Sequence, residues 1–245
     1  MNEYFKYVEY IDIIDSTNKE LKKDKYNQYD NYVLIANSQT NGTGRLTRTF
    51  VSNKDVGLYM SVRIKPNVSI DKLNNITCVV SSIVSICIEK QIKRLVDIKW
   101  VNDIYINHFK VSGILVESKI NFNTNQFDYL IIGIGINLYN QEFDEELSKI
   151  ASNIEKETNI KISKKQLIED ILSELSNYLK DYNFEEYMKQ YISRSFIIGK
   201  KIKLQTTSSV IDCFVEGINN SGELIINHNN TIKTINSAEV IKTYL

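Results

Sequence analysis

The stretch that decides the fold is DIKWVNDIYINHFKVSGILVE, residues 97–117. Its two apolar runs, residues 104–106 and 111–117, lie on either side of a turn at Asn107 and His108. A third apolar run, YLIIGIGIN at residues 129–137, follows after a polar interval. Strands joined by such short turns pair antiparallel, because a parallel pair needs a long crossover connection. We therefore predict a mixed or antiparallel sheet, and not the strand–helix alternation of a doubly wound fold.

The flanking segments supply further strands and several helices. Residues 33–36 and 58–64 have the apolar patterns of strands. A first helix is expected near Ser16 and Thr17, with Thr17 and Glu20 spaced as a capping box. After Pro66 we expect one long helix capped by Ser69, with apolar positions at helical spacing at Leu73, Ile76, Val80, Val84 and Ile88. Ser163 and Gln166 form a second capping box ahead of another helix, and residues 184–192 form a further helical piece. These patterns predict an α+β fold with helices on one face of the sheet.

The pattern changes after residue 195. Short β-segments are expected at residues 201–204, 211–215, 224–226 and 231–234, separated by turns rich in asparagine and glycine. About fifty residues of this pattern suggest a small closed barrel. The sequence therefore predicts a larger domain over residues 1–195 and a small β-domain over residues 196–245.

Composition excludes several classes of function. Thirty basic and thirty acidic residues cancel among the 245, so no basic excess indicates binding to nucleic acid. The apolar runs are shorter than a membrane span, and the start lacks a hydrophobic signal core, so we expect a cytoplasmic protein. The three cysteines, Cys78, Cys87 and Cys213, include no Cys-x-x-Cys pair, which argues against a disulfide framework and a zinc site.

A glycine-and-arginine loop, QTNGTGRLTR at residues 39–48, is the first candidate for chemistry. Gly42 and Gly44 allow the backbone amides to approach an anion closely. Arg45 and Arg48 add planar, permanently charged donors suited to carboxylate and phosphate oxygens. Taken alone, an ordinary polar turn is the commoner interpretation, since the loop lacks the context of a dinucleotide fingerprint or a P-loop.

Four further segments carry polar residues or glycines in unusual places. Asn102 and Asp103 follow Lys99 at a strand end and could ligate Mg²⁺ through oxygen, although an Asn-Asp turn with a solvated lysine is the alternative. Lys110 opens a strand, and Gly113, like Gly133 and Gly135 one strand later, marks either close approach by a ligand or a β-bulge. Residues 15–18 are either a helix cap or a set of donors and acceptors for a polar ring.

Taken in order, these motifs resemble a biotin–protein ligase over essentially the whole chain. They are Ser-Thr-Asn at residues 16–18, Gln-x-x-Gly-x-Gly-Arg-x-x-Arg at 39–48, Lys-Trp-x-Asn-Asp at 99–103, Lys-x-x-Gly-Ile-Leu-x-Glu at 110–117 and Gly-Ile-Gly-Ile-Asn at 133–137. The resemblance implies a class II synthetase-like catalytic domain with a C-terminal SH3-like barrel. It also implies that biotin and MgATP form biotinyl-5′-AMP, and that biotin then passes to a lysine of the carboxyl carrier domain of a biotin-dependent carboxylase.

The resemblance also assigns expected roles to individual residues. Arg45 and Lys110 would act at the biotin carboxylate and the α-phosphate, and they are the expected catalytic residues. Biotin would be held by Ser16, Thr17, Asn18, Gln39, Gly42, Thr43, Gly44, Arg45, Lys110, Gly113 and Gly133. ATP would be held by Arg48, Phe50, Lys99, Asn102, Asp103 and Asn137, with Asp103 as the Mg²⁺ ligand.

The sequence departs from the family pattern in three places. Thr43, Leu46 and Thr47 replace two arginines and a glycine of the usual loop, Val101 replaces a proline, and Ala238 precedes Glu239 where glycine is common. The Ser-Thr-Asn motif begins at residue 16, so we expect the form without an N-terminal DNA-binding domain and no DNA partner.

Two other functions stay open. One is a lipoate–protein ligase, whose catalytic fold is related; the arginine loop and the C-terminal barrel favour biotin. The other is a non-catalytic regulator that binds biotin or biotinyl-adenylate. The presence of Arg45, Lys99, Asp103 and Lys110 argues against it. Pairing of two copies through an exposed sheet edge is a further expectation from the family, as is a mobile loop over residues 40–53 without ligand.

Overall fold

A mixed seven-stranded sheet is the centre of the larger part of the protein, as the computed structural model shows for residues 4–121 and 123–244, the Thr47 side chain excepted. The strands are β1 (Val8–Ile14), β2 (Asn31–Gln39), β3 (Gly57–Ile64), β4 (Asp97–Lys99), β5 (Asp103–Ile106), β6 (Phe109–Asn121) and β7 (Gln126–Asn137). Their order across the sheet is β1-β2-β3-β7-β6-β5-β4. Only β1 and β2 pair in parallel, so the predicted mixed sheet is confirmed.

Six α-helices accompany the sheet in the described residues. They are α1 (Thr17–Glu20), α2 (Ile76–Ile92), α3 (Glu145–Ser148), α4 (Ile154–Thr158), α5 (Lys164–Asp181) and α6 (Glu185–Arg194). The three long helices α2, α5 and α6 pack together, and their apolar residues share one large core with alternate residues of the central strands. On β3 these alternate residues are Leu58, Met60, Val62 and Ile64.

The opposite face of the sheet carries no long helix in the described residues, but it carries the short α1 and a small apolar cluster. Leu21, Tyr26, Leu34 and Ile131 form this cluster. The prediction of helices on one face therefore holds for the long helices only. Because one face is covered by α2, α5 and α6, the polar residues of β3, β6 and β7 gather on the other.

Two helix starts differ from the sequence prediction. Ser16, not Thr17, is the N-cap of α1, and its hydroxyl accepts from the backbone amide of Lys19 at 3.5 Å. Ser69 precedes only a 3₁₀ turn, Ile70–Leu73, and α2 begins at Ile76 after an Asn75 cap that makes no side-chain hydrogen bond. The apolar spacing runs on through the break, which is why the pattern alone merges the two. At Ser163 the predicted cap is confirmed, since its hydroxyl accepts from Gln166 N at 3.2 Å.

Helix α2 is apolar on nearly its whole circumference. The segment Ile70–Ile92 has the length and composition of a membrane span, but 72% of its most apolar window is buried inside the protein. Two of its buried serines bond within the helix, since Ser81 and Ser85 donate to the carbonyls of Thr77 and Ser81 at 2.8 Å. This is the behaviour of a central core helix, enclosed by the sheet, α5 and α6.

A second, five-stranded antiparallel sheet follows α6. It contains β8 (Lys201–Gln205), β9 (Val210–Ile218), β10 (Leu224–His228), β11 (Thr231–Ile235) and β12 (Glu239–Thr243), in the order β11-β10-β9-β8-β12. The sequence pattern missed β12, whose alternation is weak. The end strands β11 and β12 do not pair with each other in the described residues, so hydrogen bonding does not close the ring. The domain boundary at residue 195 stays a prediction.

The two sheets share one apolar core, and a turn of the second sheet touches the first. Ile202, Val215 and Leu224 belong to the same cluster as α2. In the turn before β10, Gly222 accepts a hydrogen bond from Trp100 Nε1 at 2.9 Å. Gly222 has φ +80°, and a Cβ there would lie 2.8 Å from Cys78 Sγ. Burial raises the pKa of the Cys78 thiol to about 12, so it packs as a neutral group.

Replacement of Gly222 by alanine is expected to lower the free energy of unfolding by about 2–4 kcal/mol, the sum of left-handed backbone strain and overpacking. Gly199→Ala isolates the strain, because Gly199 has φ +76° with nothing near its Cβ, and should cost about 1 kcal/mol. Gly217→Ala, with open space at its Cβ, should stay within about 0.5 kcal/mol of the parent. Urea denaturation measures all three. Equal losses at Gly222 and Gly199 would show that the Cys78 contact relaxes freely.

Candidate active site

Two neighbouring rows of residues across the polar face of the sheet form a trough. In one row, Tyr59, Gly135, Gly113, Asp103 and Lys99 stand directly opposite one another on β3, β7, β6, β5 and β4. In the next row, Ser61, Gly133 and Leu115 are aligned in the same way. Side chains of paired residues lie on one face, so the glycines leave the middle of that face open. A β-bulge at the glycines, the alternative interpretation, is not found, since the register shifts lie elsewhere.

A cavity of about 430 Å³ lies over this trough. All but one of the residues predicted from the sequence line it: Ser16, Thr17, Asn18, Gln39, Thr43, Gly44, Arg45, Arg48, Phe50, Lys99, Asn102, Asp103, Lys110, Gly113, Gly133 and Asn137. The exception, Gly42, is buried within the loop and does not face the cavity. A Cβ there would lie 2.5 Å from Phe50 O and 2.7 Å from Ser52 Oγ. Five separate stretches of sequence thus converge on one cavity.

The floor of the cavity is a buried hydrogen-bond network. Gln39 Oε1 accepts from the backbone amide of Thr17 at 2.9 Å and from its hydroxyl at 3.0 Å, while Gln39 Nε2 donates to Ser52 Oγ at 2.8 Å. Ser61 Oγ lies 2.6 Å from both Thr17 Oγ1 and Asn18 Oδ1. Thr17 and Asn18 are each 4% exposed and Ser61 is fully buried. Orientation of these groups is therefore set by the protein and not by bulk water.

Some members of this network carry no signal in the sequence. Ser52 lies in the loop over residues 40–53 and Ser61 in a strand-like stretch. Glu117, which accepts from Asn18 Nδ2 at 2.9 Å, ends a motif without an assigned role. Thr43, one of the departures from the family pattern, joins the network as well, with its hydroxyl 3.2 Å from Ser16 Oγ. The register of β3 and β6 positions Ser61 and Glu117, and the folding of the loop onto the sheet brings Thr43 and Ser52 to them.

Besides Arg48, three cationic side chains line the other part of the cavity. Arg45 donates to Asn102 Oδ1 at 3.1 Å and to the carbonyl of Ala238 at 3.3 Å. Asn102, 8% exposed, is held in turn by donating to Ile114 O at 2.9 Å. Lys110 forms an ion pair with Asp103 at 2.7 Å. The third cation, Lys99, is half-buried, and burial lowers the pKa of its ammonium group, partly opposed by the Asp103 carboxylate.

Phe50 and Asn137 complete the polar trough. The Phe50 ring lies over Gly135, where a Cβ would come within 2.7 Å of its Cε1 and Cζ atoms. Asn137 donates to Ser152 O at 3.0 Å, and its buried Oδ1 has no hydrogen-bond partner in the described residues.

No group of three or more His, Cys, Asp or Glu side chains close enough to hold a metal occurs in the described part of the chain.

The second sheet contributes to the same cavity. Glu239, Val240 and Ile241 of β12 line it, and Glu239 forms a 2.5 Å ion pair with Arg48 of the loop. Arg45 also contacts the residue before β12, through the Ala238 carbonyl. The arginine loop therefore lies between the two sheets, a placement that the sequence did not predict.

This fold and this site define a class of protein. Residues 10–137 match the model of the biotin/lipoate A/B protein ligase family, which is about half of the chain, and the protein belongs to that family. Among solved structures, it is similar to the biotin protein ligase from Aquifex aeolicus in complex with biotin and ATP. That likeness has a TM-score of 0.81 at 30% identity, and covers 95% of this chain and 97% of the other.

Curated relatives point to the same family. The chain is 31% identical over 213 residues to the bifunctional ligase/repressor BirA of Bacillus subtilis, covering 85% of this chain. It is 27% identical over 149 residues to the biotin–[acetyl-CoA-carboxylase] ligase of Paracoccus denitrificans, covering 58% of this chain and 61% of that protein. The match spans about 65% of the length of the Bacillus relative.

Replacement of Glu239 by glutamine is expected to loosen the loop at residues 40–53. Arg48 is 67% exposed, and exposed ion pairs contribute about 0–1 kcal/mol, so trypsin cleavage at Arg45 and Arg48 should rise about two- to fivefold. High salt should shrink the difference, because it screens the pair in the parent. Glu216→Gln, which alters an exposed carboxylate elsewhere in the second sheet, is the matched control. Identical cleavage of Glu239→Gln and parent would mean that the ion pair does not hold the loop.

Proposed function

We propose that the protein is an ATP-dependent biotin–protein ligase. It would join biotin to AMP, and then transfer the biotinyl group to one lysine of a biotin carboxyl carrier domain. The observation that carries this proposal is the convergence in one cavity of a hydrogen-bonding floor with Arg45, Lys99 and Lys110. Family membership and the likeness to a structure that contains biotin and ATP support it.

The floor suits the ring system of biotin. Its cyclic urea carries two N–H donors and one carbonyl acceptor, and Ser16, Thr17, Asn18 and Gln39 present hydroxyl and amide groups at this end. Gly113 and Gly133 have no side chains and leave room for the ring system. Thr43 and Gly44 bring the loop to the cavity wall, and Gly42 is buried within the same loop. A lipoyl ring has neither N–H nor carbonyl, so it would leave the buried polar groups without partners, which is a large penalty.

The cations suit the first chemical step. An oxygen of the biotin carboxylate attacks the α-phosphorus of ATP, the bond from that phosphorus to the bridging oxygen breaks, and pyrophosphate leaves with the electron pair. Two anions must approach each other, so Arg45 and Lys110 would screen them and stabilise the charge on the phosphoryl oxygens. Arg48, Lys99, Asn102 and Asn137 would hold the nucleotide, and Phe50 would stack on the adenine.

Mg²⁺ would be held by the Asp103 carboxylate together with phosphate oxygens. Magnesium in nucleotide sites commonly uses one or two carboxylates and keeps its remaining positions for phosphate and water, so the Asp103 carboxylate fits the group. Glu239, the other carboxylate of the lining, pairs with Arg48. The unpartnered Oδ1 of Asn137 is a second oxygen donor of the right chemistry. When bound, the ion would neutralise charge on the phosphates.

In the second step a lysine amine of the carrier domain attacks the acyl carbon of the mixed anhydride. The bond from that carbon to the phosphate oxygen breaks, AMP leaves, and the amine nitrogen loses its proton. No nucleophile from this protein is needed. The loop over residues 42–48 would shield the anhydride from water until the lysine arrives.

Two other functional proposals are distinguishable from this one. The lipoate–protein ligase reading requires activity with a substrate that has no N–H donors. The non-catalytic reading requires biotin binding without adenylate formation, which the retained Arg45, Lys99, Asp103 and Lys110 argue against. A cytoplasmic location and the pairing of two copies stay predictions.

Intact-mass spectrometry of a carrier domain incubated with the protein and MgATP tests the function. Biotin should add one biotinyl group to one lysine, and omission of ATP or replacement of biotin by lipoate should leave the carrier unmodified. Modification by lipoate alone would overturn the choice of substrate. Biotin binding by calorimetry without any adenylate or carrier modification would favour the non-catalytic regulator.

Lys110→Ala should lower the rate of biotin-dependent pyrophosphate exchange about 100-fold, the usual effect of removing one preorganised donor from a developing charge. Lys119→Ala is the matched control, because Lys119 lies on the same strand but is exposed and paired only with Asp128 at 3.6 Å. Exchange by Lys110→Ala at the parent rate would refute the assignment of Lys110.

A further inference from the structure

Asn18 lies across the middle of the sheet with its amide held at both ends. Its Nδ2 donates to Glu117 Oε2 at 2.9 Å and lies 3.4 Å from Leu115 O. Its Oδ1 lies 2.6 Å from Ser61 Oγ. A Cβ at Gly133 would collide with this amide, since Asn18 Cγ would lie 2.9 Å away. The missing side chain at Gly133 therefore provides the space in which Asn18 is oriented.

The hydroxyl groups of the floor supply fewer hydrogens than there are close oxygen–oxygen contacts in it. Three close oxygen pairs connect Asn18 to Ser61, Ser61 to Thr17 and Thr17 to Gln39, at 2.6, 2.6 and 3.0 Å. The amide oxygens carry no hydrogen, and the two hydroxyls supply one each. One of the three oxygen pairs therefore lacks a hydrogen, which leaves a vacant acceptor position. Thr17 and Asn18 line the cavity, so an N–H donor on a ligand can fill it.

Glu117 keeps the Asn18 amide in the orientation that leaves one oxygen pair without a hydrogen. A carboxylate only accepts, so it faces the Nδ2 group and leaves Oδ1 toward Ser61. If the Asn18 amide turned over, Nδ2 would donate to Ser61, the Ser61 hydrogen would pass to Thr17, and every contact would be filled from within. The Glu117 carboxylate opposes the turned amide, because Oδ1 would then face a second acceptor. Lys22 fixes the other carboxylate oxygen, with its Nζ 2.7 Å from Oε1.

We propose that Glu117 is a positioning residue. It holds Asn18 so that the cavity floor has one hydrogen fewer than its oxygen contacts require, and the floor therefore selects a ligand whose ring carries N–H donors. The proposal rests on the proposed function, since a cyclic urea is the expected ligand. Glu117 lies outside the cavity lining and contacts none of the three cations, so its effect belongs to ligand selection and not to the chemical step.

The test compares Glu117→Gln with the parent by calorimetry, using biotin and a biotin analogue methylated on both ureido nitrogens. Glutamine keeps the size of the side chain but offers an N–H to Asn18 Oδ1, which lets the amide turn over. Biotin affinity should fall about 10- to 100-fold, the effect of one lost hydrogen bond in a buried site. The methylated analogue should lose little, so the preference for biotin should shrink about tenfold or more. KM for biotin should rise while kcat and the KM for ATP stay within about twofold of the parent.

Two control variants separate orientation from packing. Lys22→Ala removes the ion pair but keeps the carboxylate, and should preserve the preference for biotin. Glu117→Asp keeps an acceptor-only group and should retain more of that preference than Glu117→Gln. Glu117 has a side chain 31% exposed, so all three variants are expected to fold, with thermal unfolding as the check.

Three results would overturn the proposal. The first is an unchanged preference for biotin over the methylated analogue in Glu117→Gln. The second is an equal loss of affinity for biotin, for the analogue and for ATP. The third is an equal loss of the preference for biotin in Glu117→Asp and Glu117→Gln. Failure of the proposed function looks different, because the parent protein itself would then bind no biotin and show no biotin-dependent exchange.

Discussion

The site depends on one constraint, the absence of side chains at the centre of the polar face of the sheet. Gly133, Gly135 and Gly113 are neighbours on β7 and β6, and a Cβ at the first two would collide with Asn18 and Phe50 respectively. Because these positions are empty, side chains from α1 and from the arginine loop can lie flat on the sheet. A binding cavity thereby forms on a sheet face without any opening of the large core, which packs against α2, α5 and α6 on the other face.

The two parts of the cavity differ in electrostatic character. One part is a network of hydroxyl and amide groups that orient one another, with the Glu117 carboxylate at its edge. The other contains Arg45, Lys99 and Lys110 with Asp103 as the neighbouring carboxylate. A ligand with a polar ring at one end and an acid at the other matches this division. Burial of Lys99, which lowers its pKa, makes an added anion favourable there, since the anion would stabilise the charged form.

The second sheet is part of the site and not an appendage. Its β12 strand lines the cavity, and Glu239 and Ala238 hold the two arginines of the loop. Its Gly222 turn is fixed against Trp100, which directly follows β4 and its Lys99. A loop with few apolar residues has little to bury on its own, so its position is decided by such contacts from both sides.

The sequence by itself determined the type of sheet, the long helices after residue 66 and at residues 164–181, and sixteen of the residues that line the cavity. These follow from local signals, namely apolar spacing, turn residues and the order of polar motifs. Tertiary structure alone decided that Gly42 is buried within the loop and does not face the cavity, that β12 joins the cavity, and that Ser52, Ser61 and Glu117 complete the floor. A serine in a strand or a glutamate after an apolar run has no local signal of function. Its role comes from strand register, which places residues as distant as Asn18 and Glu117 within a hydrogen bond of each other.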